Sequence, residues 1–575
     1  MYAEGRWFHG RVELAWPAMA EIAGPFPSLR PFLEFLDRKG ELARVRAQVD
    51  PVLEVAAVAD RVMKSKAPHG HNEVDRHVHA DKGGKALLFE NVRGSDIPVA
   101  INTFGSYWRM EQALGTPSLE DLAQRVGRMV KPEMPAGFIE KLKMGKEMLG
   151  DLMSLRPKRR ETGPCQEVVH QGDKVDLTRL PIIQCWPLDG DLSSGQVFEE
   201  HDPSPREAGM ARGQGFQPDP GERQNGQDAL ATPRDAGART GRYITFAGIY
   251  TKNPENGDRN IGMYRVQLFD RKTCAMHWHM HHDGARHFRM WQKRGERMPL
   301  AIVLGGPSVL PYAATAPLPP GISELLFAGF LNKAPIELVP CVSIDMEVPA
   351  EAEIVIEGYV HPTDTLLEGP FGDHTGFYSL ADRYPKLEVT AITHRRDPIY
   401  PTTIVGKPPM EDYFMGKATE RIFLPLLKTI VPDILDYSLP MAGAFHNCVY
   451  VKIRKEYPYQ ARRIMHAIWG AGQMSFTKFI IVVDEDVDVH DEQAVLFHLF
   501  ANCDPARDTE MVQGPVDILD HASPMLGVGS KMGFDATRKL PAEANGRGVR
   551  RWPKELAFDE ATRKLVERRW REYGL

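Results

Sequence analysis

The sequence predicts an α/β and β multidomain protein: an N-terminal α/β domain, a strand-rich central domain, and a C-terminal α/β domain closed by a terminal helix. Three observations carry this. The chain has 575 residues, too many for one core at roughly 150 residues per domain. The stretch from about 161 to 400 is a series of short β-patterned runs separated by turn residues, which favours an antiparallel barrel or sandwich. The regions on either side alternate helical and strand patterns.

Residues 1–24 read as an extension ahead of a start near Met19, without the apolar segment of a secretory signal. In the first domain, 25–160, Leu29 to Asp37 reads as a helix and Glu41 to Val49 as a strand. Pro51 suits the first turn of a helix running through Val62. Ala86 to Asn91 and Pro98 to Thr103 read as buried strands, and Ser118 caps a helix to Val130 with Asp121 three residues on. In the central domain, 161–400, strands are expected at Tyr243–Tyr250, Ile261–Phe269, Thr273–His281, Leu300–Leu304, Ile336–Ser343, Glu353–Tyr359 and Leu387–Thr393. The segment from about 195 to 240 is rich in Gly, Gln, Pro, Asp and Arg and reads as a mobile insertion. In the third domain, 401–550, helices are expected at Ala418–Ile430 and Gln460–Trp469, and strands at Cys448–Ile453 and Phe479–Val483. Residues 551–575 read as a charged amphipathic helix, suited to packing on a partner subunit.

Hydrophobic residues make 42% and charged residues 26% of the chain, as in ordinary folded proteins, and the net charge of -6 disfavours a nucleic-acid partner. No run of about 18 apolar residues is present to cross a bilayer. The six cysteines lie far apart and form no CxxC, which fits a reducing cytoplasm.

Several constellations could carry chemistry. His277, His279, His281, His282 and His287 are crowded together, and on a strand the first three would share a face. Asn260 and Arg265 flank a β-like run just upstream. Glu368-Gly-Pro-Phe-Gly-Asp373-His-Thr-Gly376 is the densest signal, an irregular loop with two carboxylates five residues apart. A carboxyl there could deliver a proton, or the loop could be a structural turn. His69, His71, His77 and His79 read as an exposed loop, and Asp484, Glu485, Asp486 and Asp488 as a solvated strand exit. Gly527 to Gly533 has the wrong spacing for a nucleotide loop and reads as an ordinary loop; HExxH, GxSxG, Walker A and GxGxxG are all absent.

In order along the chain stand PCQEVV (164–169), DLTRLPIIQCWP (176–187), RNIGMYR (259–265), SELLFAGFL (323–331), VPAEAEIVIEGY (348–359), EGPFGDHTG (368–376), GKPPMED (406–412), DPARDT (504–509) and GSKMGFDAT (529–537). From about residue 28 onward the chain resembles the UbiD family of prenylated-FMN-dependent decarboxylases. It is most similar to the branch acting on 3-polyprenyl-4-hydroxybenzoate or a menaquinone precursor. The resemblance implies a central split β-barrel that binds the flavin and a C-terminal domain that makes oligomer contacts, as a dimer or hexamer.

It also implies roles. Asn260, His281 and Glu324 match the ligands of a divalent metal, usually manganese, that meets the cofactor phosphate; His282 stands next to His281 as the alternative. A potassium ion often sits beside it. Arg265, Glu368 and Asp373 match the catalytic set: Arg265 orients the substrate, Glu368 holds Arg265, and Asp373 supplies the proton that replaces carbon dioxide. Met263, Tyr264, Arg265, His277, Trp278, His279, His282 and Asp283 match cofactor contacts, with Lys478 reaching toward the phosphate. The implied partners are an aromatic acid of the ubiquinone or menaquinone pathway and a flavin prenyltransferase that supplies prenylated FMN. A long prenyl tail would bring peripheral contact with the inner membrane, although no dedicated anchor is seen. Two other readings compete: a metal-dependent hydrolase built on the His277–His287 cluster, and a non-catalytic subunit of a decarboxylase complex.

Overall fold

Only Tyr264 and Arg265 separate the strands Arg259–Met263 and Val266–Leu268, yet the two strands pair with different neighbours. The structure, a computed structural model, describes residues 23–69, 81–130, 153–194, 241–279, 282–318, 322–543, 552–554 and 556–574. The expected extension up to residue 22, the insertion at about 195–240, and His71, His77, His79 and His281 lie outside the described residues.

The two strands belong to one nine-stranded sheet. Its order is Tyr243–Ile244, Val266–Leu268, Thr273–Met276, Asp382–His394, Ile354–Glu368, Met298–Leu304, Gly248–Lys252 and Arg259–Met263, with Val168–Gln171 also pairing with Asp382–His394. In a flat sheet, six strand spacings of about 4.8 Å would put Val266–Leu268 roughly 29 Å from Arg259–Met263. The link from Met263 to Val266 spans at most about 11 Å. The sheet must therefore curl until its two ends approach. Register shifts after Glu357 and after Val360 add the bends that curling requires. The end strands Tyr243–Ile244 and Arg259–Met263 do not pair with each other among the described residues. The expected barrel is thus a half-barrel, not a closed one, within a mixed α/β multidomain fold.

Both faces of this sheet are covered. Met298–Leu304 is buried along its whole length. Leu300, Ile302 and Leu304 join one core with Ile249, Val266 and Trp278. The alternate residues Ala301 and Val303 join another with Phe32, Phe104, Tyr250 and Ile261. The N-terminal region contributes a four-stranded sheet whose last strand, Tyr400–Thr402, arrives from beyond the half-barrel and runs parallel to Val99–Ile101. The C-terminal region forms a five-stranded sheet around Phe479–Val483, flanked by the helices Glu411–Ile430 and Gln460–Trp469.

Several sequence expectations need correction. The strand expected over 261–269 is broken at Tyr264 and Arg265, where the chain crosses between sheet ends. The strand expected over 273–281 stops at Met276, and a helix begins at Asp283; alternating polar residues imitate a strand, but His277 and His279 turn to bond a carboxylate and each other. The helix expected from Pro51 starts at Glu54, because Leu53 adopts φ +68°. That expected from Ala418 starts at Glu411, whose buried carboxylate accepts the Phe104 N–H at 2.6 Å. The supposed loop at 527–533 is mostly the strand Val528–Asp535. The terminal helix is short, Glu560–Arg569. Ser118 does cap its helix, accepting the Asp121 N–H at 3.1 Å.

Candidate active site

Arg265 lies at the crossing between the sheet ends, and Glu368 ends the long strand Ile354–Glu368. Curling brings the two together. Arg265 donates from Nη2 to Glu368 Oε2 at 3.0 Å and from Nε to Glu368 Oε1 at 3.3 Å. Its Nη1 donates to Asp373 Oδ2 at 2.5 Å, and Nη2 also reaches Ser379 Oγ at 2.9 Å. The guanidinium sits 4.7 Å from the centre of the Phe371 ring. Arg265, Glu368 and Asp373 are 8%, 0% and 6% exposed, so these charges are met by one another rather than by water. A planar fork chelating one carboxylate and touching a second fixes both acids.

The loop after Glu368 is pressed against the segment 185–190. Asp189 accepts N–H bonds from Cys185, Trp186 and Gly372 at 3.0, 2.7 and 2.8 Å. A Cβ on Gly372 would stand 2.1 Å from Trp186 Cδ1, so only glycine permits this approach. Gly376 has φ +82°, which turns the chain back after Asp373. Two glycines and one buried carboxylate thus set where Asp373 points.

Electrostatics follow from the contacts. Burial pushes Glu368 up, but Arg265 and His277 outweigh it and hold the carboxyl below its usual range. Burial likewise opposes the ionised form of Asp373, and the bond to His374 together with Arg265 holds this carboxyl well below its usual range. The partner His374 shifts the opposite way: burial lowers it, yet the bond to Asp373 raises it to about 9. Their contact is Nδ1 to Oδ1 at 2.9 Å. The pair holds one proton, seated on the His374 side. His374 and the anchors Asp189 and Ser379 had no assigned role in the sequence reading. His374 could have been found, because it directly follows the proposed acid; the anchors are revealed only by the fold.

His277 joins the same group. Its Nδ1 is 2.8 Å from Glu368 Oε2 and its Nε2 is 2.7 Å from His279 Nε2. The His279 and His282 rings stack with centroids 4.9 Å apart, and Tyr264 lies 4.9 Å from His282. His287 points elsewhere, to Thr251 Oγ1 at 2.9 Å. Among the described residues the 277–287 histidines form no metal-binding group.

Next along the strand, Asn260 Nδ2 donates to Glu324 Oε1 at 2.9 Å, and the Ile261 N–H donates to Glu324 Oε2 at 3.2 Å. Burial pushes Glu324 up to about 6. Asn260 Oδ1 is buried without a partner, as is Trp278 Nε1. An orphaned carbonyl oxygen beside a buried carboxylate is a donor set that fits a hard divalent cation. An orphaned indole N–H fits an acceptor on a bound cofactor.

The other nominated residues are more scattered. Met263 packs against the core that includes Phe104 and Tyr250. Asp283 is half-exposed and pairs with Arg286 at 2.8 Å. Lys478 is committed to Asp520 at 2.8 Å in the C-terminal region and makes no contact with the Asn260–Glu324 pair. His69 is tied to Glu41 at 2.7 Å. Asp484 and Asp486 bond Arg538, and Glu485 bonds Arg454.

Comparison with known proteins identifies the family. Models of the 3-octaprenyl-4-hydroxybenzoate carboxy-lyase match throughout: the N-terminal domain over 33–129, the Rift-related domain over 156–221 and 229–408, and the C-terminal domain over 413–536. An uncharacterized protein of Archaeoglobus fulgidus is 42% identical over 549 residues, 95% of this chain and 98% of its own. One from Aquifex aeolicus is 41% identical over 551 residues, covering 96% and 99%. Among solved structures, the UbiD-class enzyme HmfF from Pelotomaculum thermopropionicum in complex with FMN has a TM-score of 0.66 at 26% identity, covering 91% of this chain and 97% of that one. The vanillic acid decarboxylase of Sedimentibacter hydroxybenzoicus shares the fold, with a TM-score of 0.72 at 24% identity over 95% and 99% of the two chains. The chain therefore belongs to the UbiD family of prenylated-FMN-dependent carboxy-lyases.

Proposed function

We propose that the chain removes carbon dioxide, without net oxidation, from an aromatic acid of the 4-hydroxybenzoate type on a quinone pathway. The observation that carries this is the buried set Arg265, Glu368 and Asp373, joined by hydrogen bonds of 2.5 to 3.3 Å. Decarboxylation breaks the bond between the ring carbon and the carboxylate, and a proton must take the vacated position. Arg265 is the cation that meets the substrate's charge. Glu368 holds that cation in place before the reaction begins. Asp373 and His374 share one proton across Asp373 Oδ1, and Asp373 hands it on. Prenylated FMN, when bound, supplies the electron sink for the pair left on carbon.

Asn260 and Glu324 would hold the divalent metal, manganese in this reading, with His281 or His282 as third ligand and potassium beside it. Trp278, Tyr264, His277 and His279 would line the cofactor. The division into domains near residues 160 and 400, a homo-oligomer, and supply of the cofactor by a flavin prenyltransferase belong to the same proposal. So does a cytoplasmic location, supported by six free cysteines. Among the described residues no helix is long and apolar enough to cross a membrane.

The test is to co-express the chain with a flavin prenyltransferase. The absorbance spectrum, the mass of the released cofactor, the metal content and carbon dioxide release from a panel of aromatic acids are then measured. Prenylated flavin with turnover of a 4-hydroxybenzoate supports the proposal. Bound prenylated flavin with turnover of only unrelated acids overturns the substrate class, and absence of flavin from the loaded protein overturns the mechanism.

A further inference from the structure

The loop that carries Asp373 meets the C-terminal region at a second polar cluster. His374, His446 and Asp517 each offer one ligand atom, and the three atoms lie within 4.8 Å of one another. His446 Nδ1 is 3.3 Å from Asp517 Oδ2. The His374 and His446 rings stack with centroids 4.7 Å apart and planes 23° apart.

Three features set this cluster apart from an ordinary interdomain contact. First, His374 Nε2 is buried with no hydrogen-bond partner, so one ring nitrogen of the cluster has an unmet lone pair or N–H. Second, its other nitrogen is held by Asp373 at 2.9 Å. A histidine that ligates a metal commonly gives its second N–H to a carboxylate, which fixes its tautomer and direction. Third, the surroundings attract positive charge. Asp373 and Asp517 stand 2.9 and 3.3 Å from the His374 and His446 imidazoles, and Asp412 Oδ2 is itself buried without a partner.

We propose that His374, His446 and Asp517 form a site for a divalent transition-metal ion of the zinc class, which ties the Asp373 loop to the C-terminal region. Two imidazoles and one carboxylate are a zinc-type donor set that leaves a fourth position for water. Asn260 and Glu324 offer two oxygens and suit a harder ion, whereas this cluster is led by two imidazoles. Tetrahedral bonds of 2.0 to 2.1 Å place ligand atoms about 3.4 Å apart. The widest separation allowed here is 4.8 Å, so closing on an ion asks for side-chain shifts of no more than about 1.4 Å. The ion takes Nε2 of a neutral His374 and sends one proton to solvent. His374 Nδ1 keeps its N–H to Asp373, so the ion leaves that contact in place.

The test uses the full chain purified free of metal, with zinc alone as the probe. Glu324→Gln serves as background, so that the oxygen site and the cofactor reading do not enter the result. Equilibrium dialysis with metal analysis should find one zinc per chain. His446→Ala and Asp517→Asn in that background should each weaken binding at least tenfold. Cobalt(II) in place of zinc should show tetrahedral ligand-field bands that the same variants lose. Unchanged affinity in both variants, or no zinc bound, overturns the proposal. Should the variants fail to fold, crystals of the unaltered chain soaked in zinc decide. An anomalous peak between His374 Nε2, His446 and Asp517 supports the site, and its absence there overturns it.

Discussion

Arg265 and Asp373 stand 108 residues apart in sequence and 2.5 Å apart in space, Nη1 to Oδ2. One guanidinium serves two buried carboxylates, because the same group chelates Glu368. The strand crossing that puts Arg265 there is the feature that forces the sheet to curl. Fold and site are in this sense one construction.

Asp373→Asn should abolish proton delivery while leaving the flavin bound. The amide keeps the size and one acceptor oxygen but cannot pass on a shared proton. A loss on the order of 10²- to 10⁴-fold in turnover is the scale of a general acid. Turnover and flavin spectrum measured on the same preparation check this, and turnover within a few-fold of the unaltered chain would remove Asp373 from its role.

Arg265→Met should destabilise the chain by about 3–5 kcal/mol, because it strands Glu368 and Asp373 as buried charges without their cation. Adding Glu368→Gln should restore part of that loss. Urea unfolding of the single and double variants reads the difference. Additive losses would show that the two side chains do not depend on each other.

Glu324→Ala should lose metal and flavin together, since it takes away the carboxylate beside the orphaned Asn260 oxygen. Metal analysis and absorbance on the loaded protein check this. A variant that keeps its flavin but not its metal would separate the two.

Much of this was legible before the structure. Glu368 and Asp373 stand in a loop whose three glycines and proline announce an irregular turn. Helix Gln460–Trp469 and strand Phe479–Val483 were read to the residue from periodicity and an apolar run. The crossing at Tyr264 and Arg265 was not legible, because RNIGMYRVQLF keeps a strand-like pattern straight through the break. Nor was Asp189 or Ser379, whose partners lie 183 and 114 residues away. Local pattern reports propensity, while long-range contacts decide which exposed-looking acid is an anchor. Of the five histidines within eleven residues, His277 bonds Glu368 and His287 bonds Thr251, pairings that no local spacing announces.

Gly372→Ala should damage activity by moving the loop. Its Cβ would stand 2.1 Å from the Trp186 ring, so loop or indole must shift, at a cost of about 1–3 kcal/mol. The shift falls one residue before Asp373, so the acid moves as well. Trp186→Leu in the same chain should restore part of the turnover by making room. Equal turnover of the alanine variant and the unaltered chain would show that the loop tolerates displacement.

The pair His374 and Asp373 should leave a signature in stability against pH. His374 moves from an ordinary 6.5 to about 9 on folding. A raised value means the folded state holds the proton more tightly. That contribution is complete below pH 6.5 and is lost as pH climbs through 9. Asp373 is shifted downward, so its contribution is present above the usual carboxylate range and lost in stronger acid. Both shifts report one contact and are counted once, on the order of 3 kcal/mol. Between about pH 4 and 6.5 both conditions hold, and the contact is at full strength. Unfolding free energies from urea titrations at pH 6 and 9.5, with a chelator present to exclude zinc, should therefore fall for the unaltered chain. His374→Gln cannot take up the proton and should lose most of that fall. The informative quantity is the difference between the two curves, since other groups titrate in both. Parallel curves across this window would mean that Asp373 does not hold a charged imidazole, and its proton would then have to come from another group.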